Sequence, residues 1–126
     1  MARILIVDDE PEIVMLAEMM LKKEGHETDN ASGGSECLEK LKKEKYDLLL
    51  LDVMMPKGID GWEVCEKVKA DEKTKDMPVV MFTVRTSDDS MLKGRECGAA
   101  AQVNKPFGIE ELTGTISKVL KGGLLT

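Results

Sequence analysis

The sequence contains no apolar run long enough to cross a membrane, and it has no signal peptide. A membrane-spanning helix needs about 20 predominantly apolar residues, so we expect a cytoplasmic protein without a membrane partner. An excess of basic residues is also missing, because 24 acidic residues outnumber 18 basic ones and the net charge is −6. Nucleic-acid binding that is independent of sequence needs a basic surface, so we expect no direct contact with nucleic acid.

Cysteine and histidine are both scarce. The three cysteines, Cys37, Cys65 and Cys97, are far apart in the sequence and odd in number. This spacing argues against a set of structural disulfides and against a zinc site. We interpret the three as small buried side chains in a reducing compartment. The single histidine, His26, follows Gly25 at a predicted turn and is interpreted as a surface residue rather than a catalytic base.

Three short apolar runs are each followed by a side chain that can take part in chemistry. They are residues 4–7, 48–51 and 79–82, followed by Asp8-Asp9, Asp52 and Thr83 respectively. The four consecutive leucines of the second run predict a strand that is buried on both faces of a parallel sheet. A weaker run, Ala99 to Val103, leads to Lys105 and predicts another strand.

Segments of helical periodicity alternate with these runs along the whole chain. Five strand–helix pairs in strict alternation predict an α/β fold. The polar second strand suits a sheet edge, so we predict a flavodoxin-like, doubly wound, five-stranded parallel sheet of order 2-1-3-4-5 with five helices. The fourth predicted helix, from Ser87 to Gly98, has few apolar anchors and is the helix most expected to move. We expect one domain over residues 1–122 and a tail over 123–126.

The carboxyl ends of parallel strands meet at one edge of a sheet, where open α/β folds bind their ligands. Asp8, Asp9 and Asp52 would meet there, and their mutual repulsion favours a hard divalent cation such as Mg²⁺. Next to such a cation Asp52 could accept a phosphoryl group. Thr83 could donate a hydrogen bond to a phosphoryl oxygen, and Lys105 could pair with another or with Asp52.

Four strand ends carry motifs that, taken together, are highly specific. They are Val7-Asp8-Asp9-Glu10, Asp52-Val53-Met54-Met55-Pro56 with Asp60-Gly61, Phe82-Thr83, and Lys105-Pro106-Phe107. The combination resembles the receiver domain of two-component response regulators, from Arg3 to about Lys121. The resemblance implies that Asp52 is the phosphoacceptor and that Thr83 and Lys105 contact the phosphoryl group. It also implies that Asp8, Asp9 and the Met54 backbone carbonyl help to bind Mg²⁺, and that Lys105-Pro106 is a cis peptide.

The resemblance further implies a function in a phosphorelay. The protein would take a phosphoryl group from a sensor histidine kinase or a phosphotransfer protein. It would then present a changed surface, made by the fourth helix, the fifth strand and the fifth helix, to a downstream protein. No enzymatic output is expected beyond self-catalysed phosphoryl acceptance and hydrolysis.

The sequence departs from the usual receiver pattern in three places. Val84 stands where Ala or Gly is common, Ala100 and Ala101 replace frequent acids, and Gln102 replaces an aromatic residue. Two other functions stay open at this point. A Mg²⁺-dependent phosphatase of haloacid dehalogenase type needs Asp-x-Asp after the first strand and usually a cap. A flavin-binding electron carrier needs a hydroxyl- and glycine-rich loop at the same place.

Overall fold

A computed structural model describes residues 2–53, 60–83, 97–104 and 108–122 of the protein. Five strands and four helices lie within these ranges: β1 (Arg3–Val7), α1 (Pro11–Lys23), β2 (Glu27–Ala31), α2 (Gly34–Lys43), β3 (Leu48–Asp52), α3 (Gly61–Ala70), β4 (Val79–Thr83), β5 (Ala101–Asn104) and α4 (Ile109–Leu120). The helix predicted to begin at Ser87 and the tail at 123–126 lie outside the described residues. Among those that are described, no helix is long and apolar enough to span a bilayer.

The five strands form one sheet of order β2-β1-β3-β4-β5, and all four pairings are parallel. This order confirms the predicted flavodoxin-like topology. The strand order reverses between β1 and β3, because β2 is added on one side of β1 and the later strands on the other, and the carboxyl ends of β1 and β3 are neighbours. Open α/β sheets bind ligands beside such a reversal point.

The central strand β3 is buried on both sides, as its four leucines predict. Leu48 and Leu50 face a core formed with α1 and α4, while Leu49 and Leu51 face a second core formed with α2 and α3. Each fully buried leucine stabilises the fold by about 1.5–3 kcal/mol relative to an exposed one. The helices therefore cover both faces of the sheet, and its central strands are held rigidly where their polar ends emerge.

Local sequence signals set the ends of several elements. Pro11 occupies the first turn of α1, where its missing N–H costs no hydrogen bond. Gly25, at φ 90°, ends that helix, and its N–H donates to the Lys22 carbonyl O at 3.0 Å. The sequence places the last strand at Ala99 to Val103, but β5 begins only at Ala101. Gly98 has a φ of 91° and turns the chain there, and the Ala100 N–H donates to the Val79 carbonyl O at 2.7 Å just before the first paired residue.

The exposed edge strand β2 is held by a polar cluster. Asp29 accepts hydrogen bonds from the Tyr46 hydroxyl at 2.6 Å and from Lys40 Nζ at 3.0 Å. Burial raises the pKa of the Asp29 carboxyl, but these two donors outweigh it and hold the pKa below its ordinary value. The guanidinium of Arg3 lies over the Tyr46 ring, 4.7 Å from its centroid. The ionised Asp29 thus joins β2 to α2 and to the start of β3.

His26 is half-buried at the surface of the protein, with one edge of its ring turned to the chain. Its Nδ1 accepts a hydrogen bond from the Ala2 backbone N–H at 3.1 Å. Burial lowers the pKa of the His26 imidazole below its ordinary value of 6.5, which favours the neutral ring that can accept this bond. The side chain closes the turn between α1 and β2, at the amino-terminal edge of the sheet.

Candidate functional site

Asp8 lies in the bend between β1 and α1, and 2% of it is exposed. Its backbone N–H donates to the Ala31 carbonyl O at 3.2 Å, which extends the β1–β2 pairing by one step. Its Oδ1 accepts from the Glu10 backbone N–H at 2.9 Å. The turn therefore sets the orientation of Asp8, and the positive end of the α1 dipole lies beside its carboxylate.

Asp9 and Glu10 follow Asp8 and are exposed. One carboxylate oxygen from each of the three acids lies within 4.8 Å of the others. Three negative groups this close repel one another, and a cation placed among them would remove the repulsion. The bend before α1 thus presents a compact group of oxygen donors at the carboxyl edge of the sheet.

Asp52 is the last residue of β3, and 3% of it is exposed. Val7 pairs with Leu51, so Asp8 and Asp52 each follow one member of the same backbone pair. Among the described residues, Asp8 and Asp52 are the two polar or charged residues that are buried. Burying carboxylates is costly unless they are compensated, and placing two of them side by side multiplies that cost. Both carboxylates lie at the carboxyl edge of the sheet, where a ligand is expected.

The backbone of Asp52 is fixed from the opposite side by the start of α3. The Gly61 N–H donates to the Val53 carbonyl O at 3.0 Å, and the Val53 N–H donates to the Phe82 carbonyl O at 3.0 Å. A Cβ built on Gly61 would lie 2.2 Å from the Asp52 carbonyl O and 2.8 Å from the Val53 Cα. Only glycine permits this approach, so α3 begins in direct contact with the backbone of the predicted phosphoacceptor.

The same helix is positioned by its predicted cap. Asp60 accepts a hydrogen bond from the Glu63 backbone N–H at 2.9 Å, which satisfies one of the unpaired donors at the helix start. The next residue after Gly61 is Trp62, which is half-buried and packs against the core between α3 and the sheet. The position of α3 and the backbone of Asp52 are therefore linked through two adjacent residues.

Thr83 ends β4 and pairs with Asn104 of β5, so both strands finish at the edge that holds Asp52. Lys105 is the next residue in the sequence after Asn104. The Thr83 side chain, Lys105, the Lys105-Pro106 bond, the Met54 carbonyl and Val84 lie outside what the structure describes. The backbone register thus agrees with the predicted position of Thr83, and the roles of these groups stay predictions.

The acidic site fits Mg²⁺ in the chemistry of its donors. The clustered groups are all carboxylates, and oxygen donors are the ligands that this hard cation prefers over nitrogen and sulfur. The three clustered acids include Glu10 as well as Asp8 and Asp9. The sequence did not assign a role to Glu10, although it belongs to the motif after the first strand.

Gly61 is the second residue to which sequence reasoning gave no role. It was noted only as part of the Asp60-Gly61 motif. A glycine at the first position of a helix carries no signal by itself, because its importance comes from a strand end that approaches from elsewhere in the chain.

Gln102, in contrast, was noted in the sequence as a departure from the receiver pattern. It lies half-buried in β5, opposite Met81 of β4.

Comparison with known proteins agrees with this geometry. The model of the response regulator receiver domain family matches residues 4–117. The chain is similar to the chemotaxis response regulator CheY4 of Vibrio cholerae, with 34% identity and a TM-score of 0.89 over 94% of this chain and 98% of that one. It is also similar to a receiver domain protein of Methanospirillum hungatei, with 31% identity and a TM-score of 0.86 over 94% and 93% of the two chains.

A third similar structure is the receiver domain of a signal transduction histidine kinase from Syntrophus aciditrophicus. Its identity is 28% and its TM-score is 0.88, over 97% of this chain and 92% of that one. The similarity covers 94% to 97% of this chain in these structures, and the family model spans all four strand ends described above.

Proposed function

The chain belongs to the response regulator receiver domain family, and from this premise we propose that it is a phosphorylation-controlled signalling module whose phosphoacceptor is Asp52. One observation carries the proposal: two buried carboxylates lie at the carboxyl ends of neighbouring parallel strands, Asp8 directly after β1 and Asp52 at the end of β3, and two further acids are clustered with Asp8. This edge is where open α/β sheets bind their ligands, and grouped carboxylates favour a bound cation.

Each described residue of the site has a separate task in this proposal. Asp52 supplies the carboxylate oxygen that attacks the phosphorus atom as the bond to the donor breaks. Asp8 and Asp9 would hold Mg²⁺, with the Met54 carbonyl and Asp52 itself, and the Glu10 carboxylate is clustered with those of Asp8 and Asp9. The cation supplies charge neutralisation between the carboxylates and the incoming phosphoryl oxygens. Gly61 and Asp60 keep the Asp52 backbone and α3 in place during the reaction.

Thr83 and Lys105 complete the site in the proposal. The Thr83 hydroxyl donates a hydrogen bond to one phosphoryl oxygen, and the Lys105 ammonium pairs with another. Support for this assignment comes from the strand register, which brings the ends of β4 and β5 to the edge that holds Asp52. Both groups stabilise charge on the phosphoryl group after transfer.

The proposed partners follow from the family. The phosphoryl donor is a sensor histidine kinase or a phosphotransfer protein, and a downstream protein recognises the phosphorylated form. The surface that changes lies around β5, α4 and the segment that joins β4 to β5. The protein is proposed to work in the cytoplasm, without contact with nucleic acid.

We do not assign it an enzymatic activity toward a separate substrate. A phosphatase of haloacid dehalogenase type would place Asp-x-Asp after β1, whereas this chain has Asp8-Asp9-Glu10 there. A flavin-binding carrier would bind a phosphate at the same bend, where three carboxylates would repel it. Self-catalysed acceptance and loss of the phosphoryl group are the only reactions proposed.

The experiment that tests the proposal is incubation with Mg²⁺ and acetyl phosphate, followed by intact-protein mass spectrometry. The protein should gain one phosphoryl group, which hydroxylamine should remove because it is an acyl phosphate. Asp52→Asn should accept none. Asp76→Asn, which changes an exposed aspartate before β4, should be labelled like the natural protein.

Equal labelling of the Asp52→Asn protein would contradict the assignment of the acceptor. Continuous release of phosphate from many equivalents of a phosphomonoester, without a stable labelled protein, would support the phosphatase instead. Labelling that proceeds at the same rate after Mg²⁺ is removed by chelation would contradict the metal assignment while leaving the acceptor intact.

A further inference from the structure

Two of the three cysteines are in contact with each other. All three are buried thiols, as the sequence predicts. Cys65 lies on α3, and Cys97 immediately precedes the turn at Gly98 that leads into β5. The Cys65 thiol donates a hydrogen bond to the Cys97 carbonyl O at 3.3 Å. Two cysteines that are 32 positions apart in the sequence are thus neighbours, with the Cys65 sulfur against the Cys97 backbone.

Lys69, one helical turn after Cys65, holds this arrangement in place. A Cβ built on Gly98 would lie 3.0 Å from Lys69 Cγ, so the lysine stem packs directly on the turn after Cys97. The Lys69 ammonium donates to the Met77 carbonyl O at 2.6 Å and to the Lys75 carbonyl O at 3.1 Å. Both ends of this side chain are anchored, and the contact between α3 and the chain before β5 is therefore a fixed feature of the fold.

The environment makes the two thiols chemically different. Interaction with Cys97 raises the pKa of the Cys65 thiol, and burial adds to the effect. Interaction with Cys65 lowers the pKa of the Cys97 thiol and outweighs the opposite effect of burial, with further help from the Ala99 backbone N–H. Cys97 also keeps 5% of its surface exposed, whereas Cys65 has none. Cys97 is the thiol that ionises and meets a small reagent first.

We propose that Cys65 and Cys97 are a site of reversible oxidation, at which a peroxide converts the two neighbouring thiols into an intramolecular disulfide between α3 and the chain before β5. Disulfides in reducing compartments are usually transient and respond to oxidants. The proposal is independent of phosphoryl transfer, because neither cysteine belongs to the acidic site.

The chemistry balances with hydrogen peroxide as the oxidant. The Cys97 thiolate attacks one peroxide oxygen, the O–O bond breaks, and the departing hydroxide takes up a proton to become water. The resulting sulfenic acid on Cys97 is attacked by the Cys65 sulfur, which loses its proton. Hydroxide leaves from the Cys97 sulfur and takes up that proton as a second water. In total, two thiols lose two electrons and two protons, and one peroxide becomes two waters.

The disulfide would attach the carboxyl end of the segment joining β4 and β5 covalently to α3. In the reduced protein this attachment consists of hydrogen bonds and packing alone. A covalent link between distant parts of a chain restricts the unfolded state, so oxidation should raise the melting temperature on the order of 10 °C. Thiol reductants should reverse the change.

The test treats the natural, folded protein with hydrogen peroxide and stops the reaction with catalase. The protein is then unfolded in N-ethylmaleimide without reductant and digested for mass spectrometry. We expect a peptide pair joined through Cys65 and Cys97, with the mass of two hydrogens lost and Cys37 still alkylated. Cys37, on α2, is the matched control, because burial raises the pKa of its thiol to about 12. The free thiols of Cys65 and Cys97 should disappear about tenfold faster than the free thiol of Cys37.

Three results would overturn the proposal. Cys37 could oxidise as fast as the pair, Cys97 could proceed to sulfinic acid without a link to Cys65, or the joined peptide could appear only after the protein unfolds. Variants give a second check, because Cys97→Ala should abolish the link and the rise in melting temperature while Cys37→Ala keeps both. If Cys97→Ala does not fold, Cys65→Ala provides the same check and should also abolish the link.

Discussion

At the scale of single residues, Gly61 has the tightest steric requirement among the described residues near the acidic edge. Gly61→Ala would force a Cβ to within 2.2 Å of the Asp52 carbonyl O, a backbone atom that no side-chain rotation can move aside. We expect the variant to lose about 3 kcal/mol of unfolding free energy in urea. Surviving folded protein should also bind Mg²⁺ more weakly, since the Asp52 backbone must shift.

Gly114→Ala is the matched control for this change. Gly114 lies inside α4, and a Cβ there would have no neighbour within 4 Å. Replacing a mid-helix glycine should therefore stabilise the protein by about 0.5–1 kcal/mol. If both substitutions change the unfolding free energy by the same amount in urea, the close approach of Gly61 to Asp52 does not contribute to stability.

His26 makes the stability of the protein depend on pH. Its pKa in the folded state lies below the ordinary 6.5, because burial disfavours the charged ring and outweighs the attraction of Glu24. The unfolded state therefore binds the proton more readily. The stabilisation is complete above about pH 6.5 and is lost progressively as the pH falls below that value.

Urea midpoints measured between about pH 7.5 and pH 5 should consequently decline on the acidic side. His26 is the single histidine in the sequence, so His26→Asn should flatten the curve over this range. A decline of the same steepness in the variant would assign the pH dependence to other groups.

At the scale of elements, α3 connects the acidic site to the core. Its cap, Asp60, and its first residue, Gly61, hold it against the end of β3, and Trp62 follows them. Trp62 is the one tryptophan of the chain, so its fluorescence reports on this helix alone. We expect Mg²⁺ binding to change the emission, because a cation beside Asp52 alters the field and the packing at the helix start.

Three variants make this measurement more specific. Asp9→Asn should weaken the Mg²⁺ response of Trp62, and Glu10→Gln shows whether the third clustered acid takes part. Glu63→Gln changes an exposed acid on α3 and should leave the response unaltered. If calorimetry shows that Mg²⁺ binds but the emission spectrum does not change, Trp62 is a core residue whose surroundings are insensitive to the site.

At the scale of the whole molecule, the acidic site should destabilise the protein until a cation binds. Binding to the folded state alone adds RT ln(1 + [Mg²⁺]/Kd) to its stability, which is about 1.4 kcal/mol at ten times Kd. Asp8→Asn should remove most of this gain. It should also stabilise the metal-free protein, because it removes one buried charge while its Oδ1 can still accept from the Glu10 N–H.

Thermal unfolding with and without MgCl₂, at ionic strength matched with NaCl, measures both effects. Asp76→Asn serves again as the control and should retain the full gain from Mg²⁺. Stabilisation of equal size in the Asp8→Asn and natural proteins would place the bound cation elsewhere.

The sequence alone determined the class of fold, the order of the strands and the aspartates at their ends. These features follow from short-range patterns. Consecutive leucines predict a strand buried on both faces, helical periodicity predicts the layers around it, and parallel strands must end at a common edge. Asp8, Asp9 and Asp52 were therefore predicted from their positions after the strands, and the strand order β2-β1-β3-β4-β5 is confirmed.

Only the tertiary structure decided which distant residues touch. The role of Gly61 and the contact between Cys65 and Cys97 depend on close approaches between separate elements of the fold. Such approaches result from the way helices pack on a sheet, and no local pattern encodes them. Cysteines that are far apart in the sequence give no sign of a shared reaction. Packing of α3 against the turn before β5 brings Cys65 and Cys97 together. His26 is a similar case, because its burial depends on where the first strand begins.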